Sequence, residues 1–179
     1  MSLVRVYDIA SGAWGTQEAT SANDDDPHDR KDFCAVAMSA QDRSSHQIYF
    51  YGGSSDDSGT SHSLDDVWIL TLPSFQFIKV GNSHEAARIS GTCSVISPQY
   101  LLAYRGLSRV AGDTEPERYS SLGDASLALL DLTDLKWKTE YTPANASTMY
   151  RVPRKVIEVI GGGYVPLIVP WRELYTYTI

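Results

Sequence analysis

The residues best able to do chemistry are scattered. His28, His46, His62 and His84 contain no i,i+2 or i,i+4 pair of the kind that serves a metal. Asp24-Asp25-Asp26, Asp56-Asp57 and Asp65-Asp66 supply hard oxygen donors, but none forms a loop with calcium-ligand spacing and a glycine at the bend. Cys34 and Cys93 are too few for a disulfide framework and lack paired zinc-ligand spacing. The chain has no Gly-x-Ser-x-Gly elbow, phosphate loop or dinucleotide fingerprint, and Gly161-Gly162-Gly163 lacks the spacing for one. These residues assign no catalytic group, no metal and no cofactor. Asn145-Ala146-Ser147 is a glycosylation sequon, relevant only on the secretory route.

The elements around these residues say more. The chain has 179 residues, enough for one domain with a core, and its 11 Tyr and 4 Trp against 3 Met lean toward β-structure. A net charge of −7 repels phosphate backbones and disfavours nucleic acid as a partner. The one basic cluster, Arg151, Arg154 and Lys155, reads as solvated surface. Arg5 and Asp8 interrupt any secretory leader at the start. The late uncharged apolar stretch, Val159 to Trp171, is too short and too rich in Gly and Pro to span a membrane.

An internal repeat organises the chain. Val6 to Trp14, Ile69 to Phe77 and Leu129 to Trp137 each read as an apolar strand, a polar turn and an aromatic, with Trp14, Phe77 and Trp137 spaced by 63 and 60 residues. A tight antiparallel turn demands polar, Gly or Pro residues at its tip, and the aromatic then opens an outer strand that packs against a neighbouring unit. A second element precedes two of the copies: Gln47 to Gly53 ends in Gly52-Gly53, and Gln99 to Gly106 ends in Arg105-Gly106. Before each lies another apolar segment, placing Cys34 and Cys93 at nearly equivalent positions as strand-packing residues. The unit has four strands, about 33–39, 47–52, 66–72 and 75–80, then 92–97, 100–105, 126–132 and 136–141. Residues 4–9 and 13–18 end a preceding unit, and Val156 to Ile160 reads as the first strand of a following one. The units divide the chain into 1–19, 30–81, 88–142 and 152–179, separated by polar loops at 20–29, 54–65 and 106–125.

Four-strand units carrying Ile48-Tyr49-Phe50-Tyr51-Gly52-Gly53, then Leu64-Asp65-Asp66-Val67-Trp68-Ile69-Leu70, with aromatics at Phe77 and Trp137, resemble the kelch β-propeller family, particularly its fungal members. Arg105-Gly106 in place of a double glycine, and Trp68 where tyrosine is common, depart from the pattern. The resemblance implies an all-β fold of kelch-type blades. With two whole units and two partial ones, it implies an incomplete ring. It implies a non-catalytic scaffold binding a protein partner through loops on one face, chiefly 54–65 and 106–125. Self-association to close the ring, a carbohydrate-binding or galactose-oxidase-like propeller, and a piece of a larger cell-surface protein are the alternatives. Trp14, Trp68, Phe77 and Trp137 are expected as core between blades rather than as a sugar site.

Overall fold

The computed structural model describes residues 3–21, 25–57, 60–82, 91–104, 127–143 and 149–161. Three antiparallel units follow one another. In the first, β1 (Leu3–Asp8) pairs with β2 (Ala13–Glu18), Tyr7 opposite Trp14. The turn between them is built locally. Asp8 accepts hydrogen bonds from the Ala10 N–H at 2.9 Å and the Ser11 hydroxyl at 2.8 Å, and Gly12 takes a φ of +70°. The same turn recurs with the repeat. Asp131 accepts from the N–H groups of Thr133 and Asp134 at 2.9 and 3.0 Å, and Thr71 bonds Ser74. Phe75 and Leu135 take the left-handed φ that falls on glycine in the first copy, +50° and +56°. A short polar side chain closing a turn on its own backbone is the physical content of the sequence repeat.

The second unit is complete. β4 (Cys34–Ser39), β5 (His46–Tyr51), β8 (Asp66–Leu72) and β9 (Gln76–Asn82) are paired in that order, and β3 (Thr20–Ser21) adds in parallel outside β9. Sequence reading treats 20–29 as a loop, and two of its residues are this strand. Between β5 and β8 a separate hairpin, β6 (Ser54–Asp57) with β7 (Thr60–Ser63), occupies much of the expected 54–65 loop. The third unit is β10 (Thr92–Ser97), β11 (Tyr100–Tyr104), β12 (Leu127–Asp131) and β13 (Lys136–Lys138).

Pairing register makes the units comparable residue by residue. Leu70 faces Phe77 and Ile48, while Leu130 faces Trp137 and Leu101, so Tyr51 corresponds to Tyr104. Side chains alternate across a strand, giving each sheet two faces. On the second unit Phe50, Trp68, Leu70 and Phe77 look back toward the first unit and bury with Ala19 and Val4. Tyr49, Tyr51, Val67, Ile69 and Ile78 look forward and bury against Leu101, Ala103, Leu130 and Leu132 of the third. The core is therefore two layers between three stacked sheets, each large side chain there contributing about 2–3 kcal/mol.

The chain after the third unit corrects one expectation. Val156 to Ile160 is not a strand but part of a helix, α1 (Arg154–Ile160). Val156 is fully buried, Val159 and Ile160 pack on the same forward cluster, and Arg154 Nε donates to Glu158 Oε1 at 2.8 Å one turn later. Apolar residues at i, i+3 and i+4 suit a helix packed on a sheet. Seven residues are too few for helicity without that packing.

Candidate functional site

The double glycine marks where the second unit sends out its longest described excursion. β5 ends at Tyr51, and Gly52 and Gly53 both take left-handed φ, +70° and +91°. A Cβ on Gly53 would sit 2.6 Å from the Lys31 carbonyl oxygen, so this position admits only glycine without displacement of backbone. Gly53 then lets Ser54 pair with Lys31, N–H to carbonyl both ways at 2.9 and 3.0 Å, and the β6–β7 hairpin continues from there between β5 and β8.

An ion pair locks the base of the excursion. The Arg30 side chain is fully buried, and its guanidinium donates to both oxygens of Asp66 at 2.8 and 3.1 Å and to the Gly52 carbonyl at 3.2 Å. It also lies over the Phe50 ring. Trp68 Nε1 donates to Asp66 as well, at 2.6 Å. Burial pushes the Asp66 carboxyl up, but the hydrogen bonds from Arg30 and Trp68 and the Arg30 charge outweigh it and hold the group below the ordinary carboxylate value. The rim beyond is charged and solvated. Lys31 pairs with Asp56 on the hairpin, Lys79 with Asp25 at 3.1 Å, and Asn82 donates to Asp65 at 2.8 Å. Such a surface can present polar contacts on a rigid base. Among the described residues no three His, Cys, Asp or Glu side chains group as metal ligands.

The four aromatics of the repeat have different surroundings. Trp68 and Phe77 are buried at 1% and 2% exposure, and Trp137 is half-buried against Tyr51 with ring centroids 5.2 Å apart. Trp14 instead is 62% exposed, so the expectation of core does not hold there. It has Arg5 and Tyr7 as ring contacts on its own hairpin. Its face also carries Leu3, exposed at 63%, and the adjoining turn exposes Ile9 at 88%. Arg151, Arg154 and Lys155 are exposed, Arg154 being paired with Glu158. Gly106, the loop 106–125, His84 and the Asn145 sequon lie outside the described residues.

Two features escaped sequence reasoning. Tyr49 donates to the Leu132 carbonyl at 2.9 Å and shares a 2.8 Å hydrogen bond with the Tyr150 hydroxyl, which also reaches Gln47 Oε1 at 3.1 Å. Burial raises both phenols above the ordinary tyrosine value. The partners lie about a hundred residues apart, and no local pattern connects them. The second is a disulfide: Cys34 and Cys93 are not merely packing residues but are bonded, with Cα atoms 5.5 Å apart. Their spacing in the repeat was the available signal.

No protein-family model matches the chain. A Kelch repeat-containing protein of Arthroderma benhamiae is 32% identical to it over 185 residues, which covers 90% of this chain. The chain spans about a quarter of that relative, 26% of its length. No described helix is long and apolar enough to cross a membrane. Four-strand antiparallel units that repeat about every sixty residues, share one turn chemistry and stack face to face coincide with that similarity along nearly the whole chain, which is an all-β stack of kelch-type β-propeller blades.

Proposed function

We propose that the chain is a non-catalytic scaffold that binds a protein partner through the charged rim around the β6–β7 hairpin. The observation that carries this reading is the buried Arg30–Asp66–Trp68 lock beneath an excursion whose Asp56 faces solvent together with its partner Lys31 at the base. A rigid scaffold with polar loops at one end of its strands suits recognition. Residues 106–125, which follow β11 in the sequence, are proposed to contribute to the same recognition. The test replaces residues 56–61 by a short Gly-Ser linker and compares proteins cross-linked to wild type and variant in the source cells, alongside a glycan array. Partners lost only from the variant support the reading. Unchanged protein capture, or glycan binding that survives the replacement, sinks it.

A second reading rests on the Trp14 face. In the second blade the corresponding residue, Phe77, is buried against the blade before it. Trp14, Tyr7 and Leu3 present an unburied version of that contact. A second copy of the chain would cover it with the forward face of its third blade, where Leu127 is 57% exposed. Light scattering should then show concentration-dependent association that Trp14→Glu abolishes. A monomer at every concentration would refute it.

A further inference from the structure

The two cysteines of the chain stand one residue out of step in the repeat, and that single residue decides what they can do. Cys34 opens β4 opposite Tyr51, while Cys93 is the second residue of β10, opposite Ala103. Since Tyr51 corresponds to Tyr104, the counterpart of Cys34 is Thr92 and the counterpart of Cys93 is Ala35. A one-residue offset along a strand turns a side chain to the opposite face. Cys34 therefore looks forward from the second blade and Cys93 looks back from the third, each lying in or against the forward cluster. Strict equivalence would have pointed both the same way, with no contact.

The Cα separation of 5.5 Å lies within the span a disulfide bridges. With no other cysteine in the chain, no rival intramolecular pairing exists. The bond links the first strand of one blade to the first strand of the next, enclosing the whole second blade within its separation of 59 residues. We infer that Cys34–Cys93 is an inter-blade cross-link formed in an oxidising compartment, and that its closure makes the second and third blades a markedly more stable body. This inference stands independently of the binding reading.

The chemistry balances with a disulfide oxidant, such as oxidised glutathione. One cysteine thiolate attacks the oxidant and releases its first thiol. The other then attacks the mixed disulfide at the protein sulfur, closes Cys34–Cys93 and releases the second thiol. Two protein thiols lose two protons and two electrons, and the oxidant leaves as two thiols. Cys34 is only 8% exposed and Cys93 half-buried, so the closed bond is shielded from external thiols while β4 and β10 remain together.

The test uses the whole 179-residue chain. After equilibration with oxidised glutathione and denaturation, alkylation should add no label, and two labels after reduction. Reduction should lower the melting temperature by about 10 °C. Cys34→Ser and Cys93→Ser should each melt with the reduced wild type, and reductant should lower neither further. Should a variant fail to fold, the oxidised and reduced wild type still decide the matter. Two labels without reduction, or one melting temperature in both redox states, would overturn the inference.

Discussion

The second blade and the β1–β2 hairpin carry the same repeat with opposite outcomes. Both close their turn with a polar side chain at the end of the strand, and both place an aromatic at the corresponding outer-strand position. In the second blade that aromatic, Phe77, is sealed between sheets. In the hairpin it is Trp14, left to solvent but for its own strand pair. Local sequence builds the strand and the turn in both places. Burial is conferred by the neighbour, so the same motif is core in one blade and surface in another.

The sharpest way to break this comparison is to truncate both aromatics. Phe77→Ala should cost about 3–5 kcal/mol in denaturant unfolding, whereas Trp14→Ala should stay within about 0.5 kcal/mol in monomeric protein. Equal costs would mean the hairpin face is covered. Next comes the lock that only the complete blade possesses. Asp66→Ala strands the Arg30 charge among buried groups and should cost about 3 kcal/mol. Because the folded Asp66 carboxyl is held below its unfolded value, its contribution is present above about pH 4 and is lost as pH falls through the folded value. The acid limb of stability should therefore shrink in Asp66→Asn.

A smaller effect concerns the contact between the second and third blades. Tyr49→Phe removes a donor to the Leu132 carbonyl and a partner of Tyr150, and should cost about 1–2 kcal/mol. The sign of its pH dependence is opposite to that of Asp66. Both phenols are raised in the folded chain, so their contribution is intact below about pH 10 and is lost as pH rises and the unfolded tyrosines ionise. Thermal melts from pH 8 to 11 should fall more steeply for wild type than for the Tyr49→Phe, Tyr150→Phe double variant. Smallest of all, Lys31→Ala removes a solvent-exposed pair with Asp56 and should change stability by less than about 0.5 kcal/mol.

Much of this fold was legible because its signals are local. Alternating runs, turn residues and aromatic spacing located the strands of both four-strand blades to within about a residue or two at most ends. The helix has no such local signal: Val156-Ile157-Glu158-Val159-Ile160 is short and rich in β-branched residues, which speaks for a strand, and its choice is settled by packing on the forward cluster. The 54–65 loop concealed a hairpin because its Ser, Asp and Gly composition speaks for turns. At the candidate site the double glycine was visible, but its partner at Lys31 was not, since the need for Gly53 comes from backbone twenty-two residues earlier in the chain. Arg30 and Asp66 could each be read singly, and only the fold brings them together. The cysteine pairing is written in the repeat itself, as a single-residue offset that the alternation of side chains turns to opposite faces.

The forward and backward faces of a blade are different surfaces, and this has a consequence for symmetry. The face bearing Trp14 corresponds in register to the backward face that the second blade buries, so a twofold dimer joining Trp14 to Trp14 would not reproduce the contact seen between blades. Any assembly that extends the stack is directional, each copy adding its backward face to the forward face of the last. Such growth has two endings: a ring, if the rotation per copy divides the circle, or an open fibre, if it does not.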